Sequence, residues 1–117
     1  MNTNHSEPLF DLSYLNQVFQ GNQEMVNNII QLFLEQVPEY VGEMEDCIER
    51  DDLLALHPLA HKAKSSISML GLRNMEQNIL SIEALSKEHR DLEQLPNLVR
   101  QVREECEVVN GQLERVL

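Results

Sequence analysis

The chain has 117 residues, 42% of them hydrophobic and 25% charged, which suits one soluble globular domain and excludes both a disordered chain and a two-domain protein. Its formal net charge of −11 argues against nucleic acid or an anionic membrane surface as partner, because both repel an acidic protein. With only four Gly and four Pro, no Trp and few other aromatics, the chain needs an aliphatic core and has little turn punctuation for strands, so an all-α fold is expected.

Residues 1–8 read as a polar, flexible tail. The stretch MNTNHSEPLF has no signal-peptide core and no apolar run reaches the length of a membrane span, so a cytoplasmic location is expected. Residues 9–117 read as one helical bundle domain. Asp11 opens a short amphipathic helix, DLSYLNQVF, that stops at Gly21 and Asn22 and is expected to act as a lid on one end of the bundle. A second helix runs from about Gln23 to about Arg50. Its apolar stripe is Val26, Ile30, Phe33, Val37, Tyr40, Met44 and Ile48, and Pro38 predicts a kink or local break. Asp51 or Asp52 is placed to cap the helix that follows.

The third element, Leu53 to Leu72, has an apolar seam through Leu53, Leu56, Ala60, Ala63, Ile67 and Leu70. Beside the seam lies a polar ridge of His57, His61, Lys64, Ser65 and Ser68. Pro58 cannot donate to the carbonyl of Leu54, so either the helix bends or a short turn precedes a helix that starts near His57. Gly71 ends it.

Asn74 to Ser86 form a fourth helix with Leu72, Met75, Ile79 and Ile82 inward, and Lys87 to Arg90 form a charged turn. The fifth helix carries Leu92, Leu95, Val99, Val102, Cys106, Val109, Leu113 and Val116, with Pro96 tolerated in its first turn. The short connections imply antiparallel neighbours in an up-down-up-down four-helix bundle. Cys47 and Cys106 sit at or beside apolar positions without CxxC spacing and are expected to be reduced core thiols. Met44, Met69 and Met75 lie at or near core spacing, and His5 and His89 are expected to face solvent.

No acidic residue occurs between Leu53 and Met75, although the chain as a whole is strongly acidic. Lys62, Lys64 and Arg73 give this segment a locally basic character, which suits an anion held at His61, with the Lys64 ammonium one turn away. His57 and His61 have the i, i+4 spacing of helical metal sites such as HExxH. However, no Glu follows His57, no third His or Cys is close in sequence, and the inward positions are apolar, so no metal site is expected. There is also no glycine-rich phosphate loop and no GKS or GKT motif, so neither ATP binding nor self-phosphorylation is expected.

The segment AHKAKSSISMLG, Ala60 to Gly71, resembles the signature of histidine-containing phosphotransfer (HPt) domains of bacterial phosphorelays. Their pattern is a His, a Lys three residues on, a small residue next, and a Gly closing the helix ten residues after the His. His61, Lys64, Ser65 and Gly71 occupy those positions, and Ile82–Glu83 stands where the family tends to have Leu-Glu. Ser65 departs from the commoner Gly and adds a hydroxyl where a partner packs.

The resemblance implies that His61 accepts a phosphoryl group from a receiver-domain aspartyl phosphate and passes it to another receiver aspartate, with Lys64 as countercharge. It implies receiver domains and a hybrid sensor kinase as partners, a monomer, no cofactor on this chain, and Mg²⁺ on the receiver only. His61 is preferred to His57 as the carrier because His57 precedes Pro58. The expected partner face is His57, Ser65 and Ser68, with Leu54, Leu72 and Gly71 beside them. The competing expectation is a helical adaptor that binds receivers or other domains without transferring phosphate.

Overall fold

The computed structural model describes residues 8–117. Among the described residues the secondary structure is entirely helical: α1 Ser13–Val18, α2 Gln23–Glu49, α3 Leu56–Met69, α4 Arg73–Glu88 and α5 Leu95–Val116, with 3-10 turns at Leu53–Ala55 and Leu92–Gln94. Of the tail expected over residues 1–8, all but Pro8 lies outside the described residues, His5 included.

Each of α2, α3, α4 and α5 packs against two others. α2 and α4 each contact α3 and α5, so the four close into a bundle around one aliphatic core. The core side of α3 is Leu56, Leu59, Ala60, Ala63 and Ile67; α4 adds Met75, Ile79, Ile82 and Leu85; α5 adds Leu95, Val99, Val102, Cys106, Val109 and Leu113. Spacings of three and four keep these residues on one face, and removing them from water is the main force closing the bundle. Arg103 of α5 clasps Glu45 of α2 with two hydrogen bonds, Nε to Oε2 at 2.9 Å and Nη2 to Oε1 at 2.8 Å. Both cysteines are buried and free.

Several boundaries differ from expectation. α2 buries Val26, Ile30, Phe33, Val37, Val41, Met44 and Cys47, so Val41 and Cys47 replace the expected Tyr40 and Ile48, which are only half-buried. Adjacent apolar pairs made both registers possible, and the chosen one leaves the Tyr40 hydroxyl near water. α2 is helical without interruption across Pro38. Neither Asp51 nor Asp52 caps the following element: Asp51 sits in the left-handed region at φ +56°, and Asp52 makes no capping hydrogen bond. Leu53, in the 3-10 turn, is half-buried, and α3 proper starts at Leu56. Pro58 therefore falls in the first turn of α3, where its missing N–H has no partner to lose. α4 extends to Glu88 and ends on His89 in the left-handed region, while α5 starts at Leu95 after its own 3-10 turn.

The N-terminal segment is tied to the α3–α4 junction. The Asp11 N–H donates to the Leu70 carbonyl at 2.8 Å, and the Asp11 carboxylate accepts from the Ser13 N–H at 2.9 Å. Gly71 has φ +66°, and a Cβ there would stand 2.8 Å from both the Cβ and the carbonyl oxygen of Asp11. Glycine is thus required twice over, by backbone conformation and by the close approach of Asp11. α1 itself is pinned by the fully buried Leu15.

Candidate functional site

α3 and α4 form a hairpin whose turn runs through Gly71 and Leu72. Residues equally far before and after Leu72 therefore face each other across two antiparallel helices. His61 and Glu83 are eleven positions away on either side, and their side chains meet: His61 Nδ1 lies 2.9 Å from Glu83 Oε2. The other carboxylate oxygen, Oε1, accepts from Lys64 Nζ at 3.2 Å. One carboxylate from α4 thus ties together the two residues that the sequence placed at the centre of the ridge.

The His61 side chain is 66% exposed, against 34% for Lys64 and 15% for Glu83. The hydrogen bond from His61 above all, and then the hydrogen bond and charge of Lys64, hold the Glu83 carboxyl below its ordinary range against the opposing effect of burial. Because an ionised carboxylate only accepts, the His61 Nδ1 carries the proton. The neutral ring then has its lone pair on Nε2, which has no hydrogen-bond partner among the described residues. α4 is braced at this point by the buried Ser86, whose hydroxyl donates to the carbonyls of Ile82 at 2.6 Å and Glu83 at 3.3 Å. The Glu83 carbonyl also lies 3.4 Å from His57 Nδ1.

Ser65 and Ser68 are exposed on the same side of α3, and Leu54, in the turn before it, is 63% exposed. Two expected partner-facing residues are elsewhere. Leu72 is only 2% exposed and belongs to the core, because the α3–α4 turn folds it under the hairpin. Gly71 is half-buried against Asp11, so the N-terminal segment already occupies its approach. Sequence reasoning also missed two residues. Glu83 was visible only as part of the Ile82–Glu83 pair, and its meeting with His61 depends on the hairpin register. Leu80 is 38% exposed on α4 and lines a groove of about 400 Å³ with His57, Glu83, Ala84, Lys87 and Glu88. Its signal was an apolar residue directly after inward Ile79.

The acid-free stretch of α3 is thus not a free basic face, since α4 inserts a carboxylate into it. Such an arrangement holds an imidazole in one tautomer, presents its second nitrogen to solvent, and keeps an ammonium beside it. It is suited to a nucleophile that carries an anionic group.

Comparison with known proteins agrees. A family model described as "Hpt domain" matches residues 28–112. The crystal structure of histidine-containing phosphotransfer protein B (HptB) from Pseudomonas aeruginosa PAO1 superimposes with a TM-score of 0.82, covering 92% of this chain and 93% of that one at 18% identity. No curated protein matches the chain.

Proposed function

Because the chain belongs to the Hpt domain family, the histidine phosphotransfer modules of phosphorelays, we propose that His61 is the residue that carries the phosphoryl group. The observation behind this reading is the hydrogen bond that His61 Nδ1 donates to the Glu83 carboxylate, which leaves Nε2 as the nucleophilic nitrogen of an exposed ring. The Nε2 lone pair attacks the phosphorus of a receiver's aspartyl phosphate. A P–N bond forms as the P–O bond to the aspartate breaks, and the aspartate carboxylate leaves. Nδ1 keeps its proton throughout, so the phosphorylated ring is cationic, and the Glu83 carboxylate stabilises that charge. Transfer to a second receiver reverses these steps. Lys64 swings from Glu83 to the phosphoryl oxygens as their charge arrives.

The receiver supplies Mg²⁺, and the chain needs no cofactor of its own. It acts as a monomeric carrier with no kinase step, since the acyl phosphate provides the driving force. Receivers dock over the ridge of His57, Ser65 and Ser68, with Leu54 and Leu80 as apolar contacts on either flank. A hybrid sensor kinase stands upstream. The test is incubation with a phosphorylated receiver, followed by mapping of acid-labile phosphate. Label on His61 that is lost in His61→Gln supports the carrier. Receiver binding that persists with no phosphate gained by the wild type would establish an adaptor instead.

A further inference from the structure

Both imidazoles on α3 turn the same nitrogen inward. The Glu83 carbonyl can only accept, so His57 donates to it from Nδ1, as His61 does to the Glu83 carboxylate. Each neutral ring therefore has its lone pair on Nε2. The two rings are one helical turn apart, with centroids separated by 6.3 Å and planes inclined by 35°.

We propose that His57 and His61 form a two-imidazole site for a divalent transition-metal ion of the zinc type. A histidine that binds a metal through one nitrogen ordinarily donates the other N–H to a carboxylate or a backbone carbonyl, which fixes its tautomer and raises its basicity. Glu83 supplies one acceptor of each kind. The i, i+4 spacing suits a metal, but the missing Glu after His57, the lack of a third ligand near in sequence and the apolar inward positions argued against one, and among the described residues no cluster of three His, Cys, Asp or Glu could enclose one. What the spacing could not show is that both rings turn Nδ1 to an acceptor on Glu83, which leaves Nε2 as the lone-pair nitrogen of each. The site is an open one, with water completing the coordination. With nitrogens about 2.0–2.1 Å from a tetrahedral ion, two imidazole centroids stand roughly 5 Å apart. The rings therefore need to close by about 1 Å and to turn their Nε2 atoms toward one another, to roughly 3.3 Å apart, by rotation about side-chain torsions, and the long 3.4 Å contact of His57 leaves room for it. Mg²⁺ prefers oxygen ligands and does not compete.

The metal would occupy the same Nε2 that the phosphoryl group needs, so metal and phosphate would exclude each other at His61. This consequence, unlike the metal site itself, rests on the carrier reading.

The test is calorimetric titration of the full chain with ZnCl₂ and, separately, MgCl₂, with no receiver present. We expect one zinc ion per chain, no heat of binding with magnesium, and at least tenfold weaker zinc binding in both His57→Gln and His61→Gln, whose folding is verified by circular dichroism. No saturable zinc binding below millimolar concentration, or His57→Gln binding zinc as tightly as the wild type, would overturn the site. In a transfer assay, with each protein compared to its own zinc-free rate, saturating zinc should slow the wild type at least tenfold and His57→Gln far less. An unslowed wild type would overturn the exclusion. Intact zinc binding in a chain that never accepts phosphate would instead count against the carrier reading alone.

Discussion

The carboxylate of Glu83 meets two cationic or potentially cationic side chains, and its substitutions separate charge from hydrogen bonding. Glu83→Gln retains an acceptor for the His61 Nδ1–H but loses the charge that stabilises a phosphorylated ring. Charge-assisted hydrogen bonds are about twice as strong as neutral ones. Transfer from a phosphorylated receiver should therefore slow about tenfold in Glu83→Gln and further in Glu83→Ala, as measured by rapid-quench kinetics. Lys64→Ala should slow transfer or shorten the phosphohistidine lifetime without unfolding the bundle, and a wild-type rate and lifetime would remove Lys64 from the mechanism. The lowered Glu83 pKa also has a stability signature. A carboxyl depressed in the folded state contributes stability that is complete above its unfolded pKa of about 4.3 and is lost as pH falls through the folded value. Glu83→Gln should accordingly flatten the acid limb of a plot of Tm against pH. Glu105 has the opposite sign: burial raises its carboxyl pKa despite a 3.0 Å hydrogen bond from Asn78. Its favourable contribution is present below the unfolded pKa and lost as pH rises through the raised one. Glu105→Gln, which can retain the Asn78 contact, should raise Tm at pH 7, with a gain that disappears near pH 4.

At the scale of elements, the junction of α3 and α4 is where sequence and packing agree most closely. Gly71 was legible as a helix stop, and the structure adds the reason no other residue serves: positive φ together with Asp11 at van der Waals limits. Gly71→Ala should destabilise the fold by about 2 kcal/mol, from the left-handed penalty plus displacement of the N-terminal segment. Urea denaturation would measure it, and a loss below about 0.5 kcal/mol would show that the segment gives way freely. The seam on α3 was legible in outline, because Leu56, Ala60, Ala63, Ile67 and Leu70 keep one period and are all buried, although buried Leu59 beside Ala60 was missed and Leu53 is only half-buried. α2 was less so, since Tyr40–Val41 and Cys47–Ile48 each offer two apolar residues side by side. The choice there is made by α3 and α5, and no pattern within α2 contains it. The capping role expected of Asp51 or Asp52 failed for a similar reason: the 3-10 turn at Leu53–Ala55 displaces the start of α3 to Leu56.

Across the whole molecule, one continuous aliphatic core links every long helix, so unfolding should be a single cooperative transition. Phe33 is the largest side chain in that core, at 1% exposure. Phe33→Ala should cost about 3–5 kcal/mol through lost burial and an unfilled cavity, without touching the chemistry of the ridge in the fraction that remains folded. The all-α class, the bundle and the exposed position of His61 followed from composition and periodicity alone. The partner of that imidazole did not, because it comes from another helix at a sequence separation no local pattern records. The helices on which they stand were each legible, but their mutual register was not.

That register has a mechanical side. Since the nucleophile and the carboxylate that orients it stand at mirrored distances from a single tight bend, the bend acts like a setscrew on their alignment. One residue inserted on the α4 side, between Leu72 and Glu83, would rotate the carboxylate through about 100° and leave α3 as it is. Such a chain would still own its imidazole but would lose the grip on its tautomer, and its transfer rate should fall to that of Glu83→Ala.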